Sequence, residues 1–103
     1  MENQNSDRAV IIGSGTYGLC YGRISATDDE IIKQAAVRVT RCRHIAYYKT
    51  LPGGLTSLAA HGPLEGSRVG AECPSALITN VKNVFDCSPE SIERFDAMKP
   101  SAG

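Results

Sequence analysis

The residues able to do chemistry gather in the middle of the chain. Thr40-Arg41-Cys42-Arg43-His44 is dense in polar groups, Tyr47-Tyr48 lies just beyond it, and His61 follows a short apolar stretch. An arginine can fork onto a phosphate or stack on a base, and a tyrosine offers a ring and a hydroxyl. Together they suit a nucleotide-like anion: Arg43 would neutralise phosphate, Arg41 would assist, Tyr47 or Tyr48 would stack, and His61 would hydrogen-bond. The same side chains suit a polar subunit interface, where Tyr and Arg are favoured. His44 and His61 are the only side chains whose ordinary pKa makes them general bases near neutral pH. No nucleophile elbow, HExxH, phosphate-binding P-loop or paired-carboxylate spacing accompanies them. Cys20, Cys42, Cys73 and Cys87 form no CxxC and read as reduced, small apolar side chains. A zinc site on Cys42, His44 and two distant cysteines, or a Cys/His catalytic pair, is the weaker alternative, and no metal or cofactor is expected.

Position 13 to position 18 reads Gly-Ser-Gly-Thr-Tyr-Gly after the β-branched run Ala9-Val10-Ile11-Ile12. A dinucleotide site needs such a loop to open a helix. Here an alternating stretch with its own glycine, LCYGRI, follows, so a glycine-rich hairpin is expected. Its amides could touch a phosphate or simply form a hairpin tip.

The elements that would carry these groups follow from pattern. Residues 9–12 and 19–24 read as strands, 25–30 as a polar turn, and 31–36 as ambiguous between helix and strand. From Val37 to Tyr48 the chain alternates, but neither face stays clean. A bulge near Arg41–Arg43 that switches the buried face is therefore expected. Residues 55–60 have room for one or two helical turns, which Gly62-Pro63 ends. A short strand is expected at Arg68-Val69, and two more at 75–81 and 83–86, joined near Asn80. Ser88-Pro89-Glu90 is an N-cap, a first-turn proline and a dipole-matched acid, opening a helix to about Met98.

The 103 residues bound the rest. Eleven Lys+Arg balance eleven Asp+Glu, and 42% of the residues are hydrophobic. That is globular composition, and the neutral balance argues against a non-specific DNA binder. Charge is uneven: positions 1–30 sum to −3, 31–70 to +5 and 71–103 to −2. Only the middle third would attract an anion. No membrane-spanning run and no leader is expected, so the reading is a cytoplasmic protein: a tail over 1–8, one domain over 9–98 and a tail over 99–103. The expected fold is α+β and β-rich: a small, mostly antiparallel sheet with one short helix and a C-terminal helix. So short a chain with a mixed-face strand is expected to form a homo-oligomer.

Four segments then stand in a familiar order. They are Gly18-Leu19-Cys20-Tyr21-Gly22; the alternating strand ending in Tyr47-Tyr48; Gly54-Leu55-Thr56-Ser57-Leu58-Ala59-Ala60-His61-Gly62-Pro63; and Val84-Phe85-Asp86-Cys87-Ser88-Pro89-Glu90. In this the chain resembles a family of small phage and prophage proteins, the DUF6948-type proteins. Tyr48 stands where Trp is more typical, and 31–36 looks like extra length. The resemblance implies a viral accessory origin and a compact β-rich fold, and transfers no activity. With the basic middle third, it leads to the expectation of a non-catalytic phage counter-defence protein that sequesters a small, nucleotide-derived anionic signal in the host cytoplasm. The alternative partner is a host defence protein that the chain inhibits by direct contact, and a structural or DNA-metabolism accessory is a third reading.

Overall fold

The computed structural model describes residues 7–101, so most of the tail expected over 1–8 lies outside the described residues. Two β-rich runs separated by a tight turn form the first hairpin, β1 (Arg8–Ser14) and β2 (Gly18–Ile24), in register from Arg8↔Ile24 to Ser14↔Gly18. Next come α1 (Asp28–Gln34), the long β3 (Ala36–Tyr47), α2 (Leu55–His61), β4 (Arg68–Val69), β5 (Cys73–Thr79), β6 (Val81–Asp86) and α3 (Pro89–Ala97). All strand pairings are antiparallel, in the order β4-β3-β2-β1-β6, with β5 also on β3. The fold is thus a β-rich α+β domain, with one helix more than the sequence pattern led us to expect.

That extra helix is α1. Its signal is Thr27-x-x-Glu30: the Thr27 hydroxyl accepts from the Glu30 N–H, and the Glu30 carboxylate accepts from the Thr27 N–H. This capping box satisfies two amides that would otherwise lack partners, and Asp28, Asp29 and Glu30 match the helix dipole. With seven residues and one buried side chain, Ile31, the helix leaves little apolar periodicity to see.

β3 organises the rest. Tyr21 pairs with Arg43 and Arg23 with Thr40, so Arg41 and Cys42 together oppose Gly22. Arg41 is the extra residue, in the left-handed region at φ 52°. A bulge reverses the side-chain parity. Before it, Val37 and Val39 join a core with Val10, Ile12, Cys20 and Ile24. After it, Cys42 stays with that core, while Ile45 turns to a second core with Ile11, Tyr21, Leu58, Val69 and Phe95. The first half of β3, with β5, therefore folds across one face of the β1–β2 hairpin, and α2 and α3 cover the other. Gly22 permits that fold: a Cβ there would collide with Val39 Cγ1 and lie 2.9 Å from the Thr40 carbonyl oxygen.

Candidate functional site

The bulge decides the fate of the arginines. With parity reversed, Arg43 points into the second core and is only 4% exposed. Its Nε–H donates to the Gly70 carbonyl (2.7 Å), Nη1 to that of Phe95 (2.6 Å) and Nη2 to that of Met98 (2.9 Å). Phe95 and Met98 end α3, where the dipole is negative, and the Phe95 carbonyl also accepts from the Met98 N–H. Arg43 thus clamps the C-terminus of α3 to β3 and to the loop after β4. Its expected role as the phosphate-neutralising group is corrected: three of its N–H groups are engaged, and burial closes off the rest.

The other expected contacts part company. Arg41, on the bulge, points outward and donates through Nε (3.1 Å) and Nη2 (3.0 Å) to one Glu72 oxygen. Tyr47 is half-exposed opposite Arg68 of β4. Tyr48 packs against the second core. His61 closes α2 and faces Glu90 of α3, Nδ1 to Oε1, at 3.3 Å. Arg43 and His61 both meet α3, while Arg41, Tyr47 and Tyr48 meet Glu72, β4 and the second core, and none of the five lines the three surface cavities of the chain. One of about 300 Å³ separates α1 from β6, one of about 610 Å³ lies between α1 and the start of β3, and one of about 550 Å³ lies between α2 and β6.

The glycine-rich loop is a hairpin tip, as its alternating sequel predicted. Its amides are occupied: Gly15 N–H donates to the Asn80 carbonyl, and Thr16 and Tyr17 N–H donate to the Ser14 hydroxyl.

Two clusters escape sequence patterning because they join distant segments. Asp96 of α3 accepts from the Tyr21 hydroxyl (3.0 Å) and from both Arg23 Nη atoms (3.3 and 3.0 Å). The Tyr21 ring stacks on Phe95, centroids 4.1 Å apart. Burial pulls the Asp96 pKa up, but the hydrogen bonds from Arg23 and Tyr21 outweigh it and hold the carboxyl below its ordinary value. Burial likewise pushes the Tyr21 hydroxyl up.

The second cluster is sulfur. Cys42 is opposite Cys73 in the β3–β5 register, and Cys20 is opposite His44 in the β2–β3 register. The Tyr17 ring lies against His44, centroids 4.8 Å apart. Hydrogen bonding with Cys42, and then burial, raise the Cys20 thiol, and the same bond lowers Cys42. All four cysteines are free. Among the described residues, no group of three or more His, Cys, Asp or Glu side chains is arranged to hold a metal ion.

Fold and site together define a small β-rich α+β domain whose buried arginine and acid–tyrosine network fasten its own C-terminal helix. The chain belongs to the family described as a domain of unknown function, DUF6948, whose profile matches residues 7–95. No curated protein and no solved structure matches the chain. No helix of the described residues is long and apolar enough to cross a membrane.

Proposed function

We propose that the protein is a non-catalytic binding module that docks on a partner protein through the outer edge of β5. One observation carries this reading. Among the described residues, β5 is paired on one side only, by β3, and it is seven residues long without a charged side chain. Natural edge strands are normally short, charged or covered, because an unpaired row of N–H and C=O groups accepts another strand. Here Pro74 is the one blunting residue, and Leu77 stands 56% exposed in mid-strand. Such an edge suits strand addition, in which main-chain hydrogen bonds give affinity and alternate side chains give specificity. In the phage setting that the family resemblance implies, the partner is a host defence protein. Sequestration of a nucleotide-derived anion draws less support, since Arg43 serves α3 and Arg41 faces Glu72.

The test compares wild type with Leu77→Lys in affinity capture from host lysate, with native mass spectrometry of both. A protein captured by wild type and lost from a folded Leu77→Lys variant is the expected result. Capture indifferent to Leu77 refutes the edge. A homodimer that Leu77→Lys dissolves makes a second copy the occupant and refutes the foreign partner. A co-purified nucleotide lost on Arg41→Ala restores sequestration.

A further inference from the structure

The geometry points to Cys42 and Cys73 as an oxidisable dithiol that closes into a disulfide between β3 and β5 when the protein meets a peroxide. The two are direct partners in an antiparallel ladder. Residues so placed have Cα atoms ~4.5–5.5 Å apart, inside the ~4.4–6.8 Å window of disulfides. The pair is asymmetric in a useful way. Cys73 is exposed at the start of β5, where a peroxide reaches it, whereas Cys42 is 2% exposed beneath. The Cys73 thiol now donates to the Ser75 carbonyl (Sγ to O 3.3 Å), a contact it must leave to reach Cys42. Cys20 stands on the other side of Cys42, and its hydrogen bond favours the Cys42 thiolate, the attacking form.

The chemistry balances with hydrogen peroxide as the oxidant. The Cys73 sulfur attacks the O–O bond, which breaks, giving a sulfenic acid and one water. The Cys42 sulfur then attacks the sulfenic sulfur. An S–S bond forms, the S–O bond breaks, and the departing hydroxide takes the Cys42 proton as a second water. Two thiols lose two electrons and two protons, and the peroxide is reduced to water. The ring so closed contains α2 and β4. It fixes the start of β5 to β3 independently of whether the outer edge of β5 holds a partner.

The experiment treats the reduced full chain with stoichiometric hydrogen peroxide, quenches, and maps tryptic peptides without reduction. The expected product is a monomer lighter by two hydrogens in which peptide 42–43 is joined to peptide 69–82. The link survives in Cys20→Ser and Cys87→Ser and is absent from Cys73→Ser, whose exposed position leaves the fold intact. The melting temperature of the oxidised wild type rises by on the order of 10 °C and returns on reduction. A Cys20–Cys42 link, a Cys73–Cys73 dimer, or oxidation of Cys73 to sulfinic acid with no link overturns the assignment.

Discussion

Replacing Arg43 with alanine separates a structural arginine from a ligand-binding one. In the folded protein its guanidinium supplies hydrogen bonds of 2.6–2.9 Å to three main-chain carbonyls, two of them at the end of α3. Alanine removes all three donors together and leaves a cavity beside Phe95. A buried acceptor stripped of its partner costs ~1–3 kcal/mol, and donors that carry charge lie at the upper end. Water entering the vacated space recovers part of this. The net expectation is a loss of about 3–5 kcal/mol against a total of ~5–15 kcal/mol for a domain of this size. The melting temperature then falls by at least ~12 °C. Arg43→Lys, which keeps charge and three donors but not the planar fork, is expected to fall between. Arg41→Ala removes an exposed pair with Glu72 and is expected to cost under ~1 kcal/mol. Urea unfolding followed by circular dichroism reads all three, since the chain has no Trp. An Arg43→Ala variant within ~1 kcal/mol of wild type refutes the clamp and returns the guanidinium to the pool of groups free to meet an anion.

Three further outcomes are expected. Gly22→Ala forces a methyl against Val39 and the Thr40 carbonyl oxygen at the bulge, and is expected to lose ~1–3 kcal/mol in the same urea titration; a neutral result means that β3 does not cross there. Asp96 has a lower pKa folded than unfolded, so its contribution is present above the ordinary aspartate value of ~3.9 and is lost as pH falls through the folded one. Asp96→Asn is therefore expected to flatten the acid limb of stability against pH, and an unchanged acid limb contradicts the network. Finally, burial pushes the Cys87 thiol up to about 11. Iodoacetamide at pH 8 is expected to label the exposed Cys73 well before Cys87, as timed peptide mapping will report.

Local signals carried most of the fold. The Ser88-Pro89-Glu90 start of α3, the Gly62-Pro63 end of α2 and the broken alternation of β3 each specify their structure within a few residues. α1 is the instructive exception. Its capping box was present in the sequence, but a one-sided helix with a single buried side chain offers no period to detect, and Ile32 beside it faces solvent. The site was far less legible. Arg43 and Arg41 share a residue type and lie two positions apart, which on an unbroken strand means the same face. Their separation depends on the extra residue at the bulge, and their partners, Glu72, Gly70, Phe95 and Met98, come from 27 to 55 positions away.

The bulge at Arg41 therefore links the fold to both proposals. Without it, Arg43 and Ile45 would follow Val37 and Val39 toward the first core, and a guanidinium would meet only aliphatic side chains, an arrangement that burial of charge forbids. With it, the cation reaches the carbonyl end of α3, and Cys42 remains with Cys20 in the first core. The same reversal lets the first half of β3 leave the β2 ladder and carry β5 across the hairpin. That places β5 at the margin of the domain, paired on one side by β3 and, among the described residues, open on the other. A left-handed residue in mid-strand is strained for any side chain but glycine, asparagine or aspartate. Arginine takes that conformation here against its backbone preference, its head group is held by Glu72, and the two halves of β3 face opposite ways.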